Sequence, residues 1–104
     1  YLAGQIGWDA QQRFVGADLV TQARQALRNI VTILAEDGAK PEHIVRLTWY
    51  VTDRAAYLAA SAELGAAYRE VLGKHFPAMT AVEVSSLMEA EAVIEIEATA
   101  VVPE

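Results

Sequence analysis

The sequence predicts a two-layer α+β domain, a mixed β-sheet with two helices on one face. Three observations lead there. The stretches Ile44–Thr52, Met79–Val84 and Ala92–Val102 place apolar and polar residues in alternation, the period of a strand with one buried face. Two other stretches repeat apolar residues every three and four positions, the period of an amphipathic helix. The elements follow the order β-β-α-β-α-β-β, so two helices suffice to cover the apolar sheet faces. At 104 residues the chain has the length of a single domain with one core, spanning residues 1–104.

Tyr1 to Ile6 is short and apolar and ends at Gly7, so it reads as a strand. Gly4 leaves its backbone open to close approach by a ligand or a neighbouring strand. Trp8 to Arg13 is a polar turn, with Phe14-Val15 as a short return strand. Asp18 is placed to cap the first helix, its carboxylate near unpaired N–H groups. Leu19, Val20, Ala23, Ala26, Leu27, Ile30, Val31 and Leu34 form that helix's apolar face, and Gly38 stops it. Arg24 and Arg28 stand one turn apart; a solvated face is a better account of them than an anion site.

Lys40 to His43 is a turn around Pro41, and His43 reads as a turn residue rather than a ligand or base. In the strand from Ile44 to Thr52, Val45, Leu47, Trp49 and Val51 share one face; Arg46, Thr48 and Tyr50 share the other. Asp53 caps a second helix running from about Arg54 to Leu72 and ending at Gly73. Gly65 interrupts it at a cost of ~1 kcal/mol relative to Ala, which close packing or space for a ligand would explain. His75 precedes the next strand and reads as structural, because no acid or nucleophile lies at a recognisable spacing.

Pro77 then sets the entry into the strand around which the chain is organised. Thr80, Val82 and Val84 are expected to face the helices. Met79, Ala81 and Glu83 are expected on the opposite face, lining a pocket closed by another subunit. A loop from Ser85 to Glu91 leads to the last strand. There Ile94, Ile96, Ala98, Ala100 and Val102 fall on one face, and Val93, Glu95, Glu97, Thr99 and Val101 on the other. The mixed faces, with Arg46, Tyr50, Met79, Glu83, Glu95 and Glu97, must meet water or a partner, and Arg46 is in a position to pair with one of the two last acids.

Composition narrows the function. The net charge of −6 argues against gripping a phosphate backbone, which takes clustered Lys and Arg. With no cysteine, disulfides, thiol catalysis and zinc–thiolate sites are excluded, and a cytoplasmic location fits. No metal or cofactor is expected. No apolar run approaches the roughly 20 residues that span a bilayer, so no membrane partner is expected. The hydrophobic share of 54% slightly exceeds the usual half, which fits either apolar surface buried between subunits or an alanine-rich core. The chain opens abruptly within a strand-like stretch, so residues before Tyr1 are expected.

Several local strings, in this order, carry a resemblance. They are Leu2-Ala3-Gly4-Gln5-Ile6, Gln22-Ala23-Arg24-Gln25-Ala26-Leu27 with Asn29, Val51-Thr52-Asp53, Phe76-Pro77-Ala78, Val82-Glu83-Val84 and Glu95-Ile96-Glu97-Ala98. The chain resembles the RidA/YjgF family, also called the L-PSP endoribonuclease-like family. The resemblance implies a chorismate-mutase-like protomer and a homotrimer with three pockets between subunits. It also implies hydrolysis of reactive enamines and imines to 2-keto acids and ammonia, with an arginine gripping the substrate carboxylate.

That arginine falls at Met79, which cannot ion-pair; losing such a contact costs about 1.5–3 kcal/mol. A usual Ser falls at Ala3, a common Asn at Gly65, and a Cys or small polar residue at Ala81. Gly4 remains, and Glu95 matches the acid placed beside the attacking water. The resemblance thus assigns substrate binding to Ala3, Gly4, Gly65, Met79 and Ala81 and catalysis to Glu95, in a subgroup lacking the arginine. Three functions follow in descending order: an imine or enamine deaminase with an altered substrate, a non-catalytic trimer binding a small apolar metabolite, and a ribonuclease or translation inhibitor.

Overall fold

The computed structural model describes residues 1–103. Its elements are β1 (Leu2–Ile6), α1 (Leu19–Glu36), β2 (Ile44–Val51), α2 (Arg54–Ala59), α3 (Ser61–Leu72), β3 (Ala78–Glu83) and β4 (Ile94–Ala100). The strands make one mixed sheet in the order β1-β4-β2-β3. β4 runs antiparallel to both its neighbours, while β2 and β3 are parallel, joined by the crossover through α2 and α3. This is the expected α+β architecture.

The helices form where local signals allow. Asp18 caps α1, accepting hydrogen bonds from the Thr21 N–H at 3.0 Å and the Thr21 hydroxyl at 2.9 Å. Those bonds hold its carboxyl below the ordinary carboxylate range. At the other end Gly38 takes φ +72°, and the Gly38 and Ala39 N–H groups return to Ala35 and Leu34 carbonyls. This Schellman closure uses carbonyls the helix would leave unpaired. Asp53 caps α2 through the Ala56 N–H at 3.1 Å.

The core lies between α1, α3 and one sheet face. Ala23, Ala26, Leu27, Ile30 and Leu34 of α1 pack with Leu47, Trp49 and Val51 of β2 and with Ile94, Ile96 and Ala98 of β4. Gln22 is also fully buried, yet satisfied: it donates to the Gly16 and Glu91 carbonyls and accepts from the Val93 N–H. One side chain thereby ties α1 to both the loop before it and the entry to β4.

Four expectations need correction. Phe14 makes only a single bridge to Trp8, so no return strand forms over Phe14-Val15. The second helix breaks at Ala60 into α2 and α3, although no Gly or Pro stands there. The bend serves packing: α2 sets Tyr57 edge-on to Trp49, with ring centroids 6.3 Å apart, while α3 buries Leu64, Ala67, Tyr68 and Leu72. In β2 a bulge between Ile44 and Arg46 turns Val45 outward and buries Ile44 instead.

The fourth correction concerns β3. Its register sets Met79 beside Leu47, Ala81 beside Trp49 and Glu83 beside Val51. Laterally paired residues share a face, so the Met79 set lies on the helix side and Thr80 and Val82 on the open side, the reverse of the expectation. All six residues of β3 are exposed, because this edge strand lies beyond the helices' cover. Glu83 is drawn to the helix side by the start of α2, where it accepts from the Arg54 N–H at 2.7 Å.

Candidate functional site

A cavity of about 380 Å³ opens where the β3 edge leaves a gap beneath α3. Met79 lies on one side and Gly65 on the other, with Trp49, Tyr57, Leu64 and Phe76 among its walls. Ser61, Tyr68 and Pro77 complete it, so no charged side chain lines it. Tyr68 stacks on Phe76 with centroids 5.5 Å apart and planes 12° apart. The Tyr68 hydroxyl donates to the His75 carbonyl, and the His75 ring lies 2.7 Å through Nε2 from the Ile44 carbonyl. That carbonyl can only accept, so Nε2 carries the proton. These bonds fasten Phe76 and Pro77 at the mouth.

His43 is spent in the same way, its Nδ1 accepting from the Lys40 N–H at 3.0 Å. Both histidines therefore serve the backbone. Burial raises the Tyr57 and Tyr68 hydroxyls above the ordinary phenol range, leaving them as neutral donors. The Trp49 indole N–H is buried without an acceptor among the described residues.

A second group lies on the opposite, open face of the sheet. A Cβ placed on Gly4 would stand 2.7 Å from the Glu95 carboxyl carbon, so Gly4 is the space in which that side chain lies. The sequence left Gly4 open between a ligand and a neighbouring strand; within the protomer it is the strand β4. Tyr50 and Glu97 lie on the same face, joined by a hydrogen bond of 2.9 Å from hydroxyl to carboxylate. That bond, with burial and the nearby Glu97 and Glu95 charges, raises the Tyr50 hydroxyl above its ordinary range. Arg46 forms no ion pair with either acid among the described residues, so the pairing expected for it is replaced by Tyr50.

The candidate residues thus divide. Gly65 and Met79 meet in the cavity; Gly4 and Glu95 meet across the sheet; Ala3 and Ala81 are exposed and line neither the cavity nor the Glu95 contact. Among the described residues no cluster of His, Asp or Glu is placed to hold a metal ion, and no helix is long and apolar enough to cross a membrane.

The family model for endoribonuclease L-PSP matches residues 1–102. The chain belongs to this family, the Rid proteins. A RutC family protein of Pasteurella multocida is 38% identical over 99 residues, covering 95% of this chain and 76% of its own. The 2-iminobutanoate/2-iminopropanoate deaminase of Salmonella typhimurium is 38% identical over 102 residues, with the same two coverages. Among solved structures, a conserved Rid family protein of unknown function from Yersinia pestis superposes with a TM-score of 0.82 at 38% identity, covering 97% of this chain and 76% of that one.

Within this Rid protomer the aromatic walls of the cavity escaped the sequence. Trp49, Tyr57 and Tyr68 sit at positions that read equally well as ordinary core. Only Phe76-Pro77, beside the strand that carries Met79, hinted at them.

Proposed function

We propose that this Rid protein is a homotrimer that hydrolyses an imine or enamine in pockets between subunits, with its substrate changed because Met79 stands where the family arginine is expected. The observation that carries this is the match to 2-iminobutanoate/2-iminopropanoate deaminases across 95% of the chain, with Gly4 and Glu95 retained in contact. In the reaction the Glu95 carboxylate takes a proton from water as its oxygen attacks the imine carbon, and the C=N electron pair passes to nitrogen. Protonated Glu95 returns that proton to the nitrogen, giving the neutral carbinolamine; transfer of the hydroxyl proton to the nitrogen then lets the C–N bond break, so ammonia leaves and the carbonyl product remains.

One protomer holds the two groups on opposite sides of its sheet, so neither is a complete site alone. A neighbour laying its open face against the β3 edge brings a Glu95 toward a Met79 cavity. The exposed Val45 and Val82, 47% and 41% accessible, favour such burial. One feature favours a second reading, a trimer that binds an apolar metabolite without turnover: no acid or base lines the cavity beside Met79. Ribonuclease action finds least support, given a net charge of −6.

The test couples an amino-acid oxidase to generate 2-iminopropanoate and follows its decay. We expect little acceleration by the native chain and a gain on Met79→Arg. Full activity of the native chain on this small imine would refute the role given to Met79. Inactivity of both proteins on small and large imines would refute the deaminase.

A further inference from the structure

Resting on the proposed hydrolase site, we infer that Arg69 supplies the anion contact at the mouth of the cavity, so the site takes a carboxylate that carries a bulky apolar or aromatic group. Arg69 lies one turn after Gly65 on α3. A long helical side chain runs toward the helix N-terminus, over the residue four before it. Here that residue has no side chain. The Arg69 Nη1 atom stands 3.4 Å from where a Cβ on Gly65 would be, and Gly65 lines the cavity.

The usual role of a basic residue in the last turn is to face the unpaired C-terminal carbonyls. This guanidinium goes the other way, toward Gly65, which lines the cavity. It is also unspent. Arg24 and Arg28 both hold Glu70, and Arg13 holds Asp9, whereas Arg69 is exposed and has no carboxylate partner among the described residues. The mid-helix glycine, costly in propensity, leaves the guanidinium a path to the rim.

The interior decides the rest of the ligand. A cavity of about 380 Å³ walled by Trp49, Tyr57, Leu64, Phe76 and Met79 exceeds what a three- or four-carbon imine fills, and its lining carries no charge. An apolar or aromatic group fits inside, with its carboxylate outside at Arg69. The substrate class is therefore the 2-imino acids derived from large apolar amino acids.

Binding separates this inference from turnover. Titrate the native trimer calorimetrically with 3-phenylpropanoate and with its neutral amide, in low and high salt, and repeat with Arg69→Gln and Arg69→Lys. The acid should bind more tightly than the amide, with an advantage that shrinks in salt. Arg69→Gln should weaken the acid about three- to tenfold and leave the amide unchanged, and Arg69→Lys should retain part of the preference. Equal affinity for acid and amide, no binding of either, or an acid affinity indifferent to Arg69→Gln would overturn it. Acid binding through Arg69 without hydrolysis of the phenylalanine-derived imine would sink the deaminase and leave this contact standing. Hydrolysis of that imine with a KM unmoved by Arg69→Gln would do the reverse.

Discussion

Leu47 has no exposed surface and belongs to the core cluster that residues of α1, α3 and β4 complete. Leu47→Ala should cost about 2–5 kcal/mol, because a close-packed site collapses only in part around the lost atoms. A chemical-denaturation midpoint reads it directly. Trp49 is 2% exposed but should behave differently. Its unpaired N–H already carries a penalty of about 1–3 kcal/mol, so Trp49→Phe removes a cost along with its contacts and should change stability by less than ~1.5 kcal/mol. Gly7 is the converse case. A Cβ there would stand 2.5 Å from the Gln22 Cβ and 2.6 Å from its Cα, atoms that cannot swing aside. Gly7→Ala should destabilise by about 1–3 kcal/mol and slacken the Gln22 bonds that hold the β4 entry.

At the scale of the element, α1 is fixed at both ends. Asp18→Ala should cost about 1 kcal/mol. The effect has a pH signature. Because the folded-state pKa of Asp18 lies below its ordinary value of 3.8, its contribution is complete above that value and is lost as pH falls through the lower, folded one. An acid titration of stability should therefore bring native and Asp18→Ala chains together at low pH. Gly38→Ala should cost about 1–2 kcal/mol, since φ +72° places a Cβ against the following carbonyl. The Ala60 break shows the limit of local signals: nothing in Ala59-Ala60-Ser61 stops a helix, and the bend follows from two packing demands that one straight helix does not meet.

At the scale of the molecule, the open sheet face is the unpartnered surface. It carries Arg46, Thr48, Tyr50, Glu95 and Glu97, with Val82 beside Tyr50 on the edge strand. If three copies associate through it, light scattering at micromolar concentration should give about 34 kDa, three times the chain mass of 11.3 kDa. Val82→Glu should then yield a folded monomer and abolish any imine hydrolysis. A monomeric native protein would refute the assembly and leave Gly4 and Glu95 without a cavity.

Much of this was legible beforehand. The stripe Ala23, Ala26, Leu27, Ile30 and Leu34, the caps at Asp18 and Asp53, the stop at Gly38, the inward face of β2 beyond its bulge and that of β4 as far as Ala98 appear as read, while the last strand ends at Ala100 and leaves Val102, read as inward, exposed. Each rests on a period or a hydrogen bond made among near neighbours, which residue order alone can specify. The grouping of the candidate residues, Gly65 with Met79 and Gly4 with Glu95, was not legible in the sequence. Alternation says that Met79 and Thr80 oppose each other, yet not which of them meets the helices, and on an uncovered edge strand no burial settles the matter. That choice came from the register of β3 against β2 and from Glu83 reaching the start of α2. The Val45 bulge and the Gly4–Glu95 contact belong to the same class, because each depends on a neighbour distant in sequence.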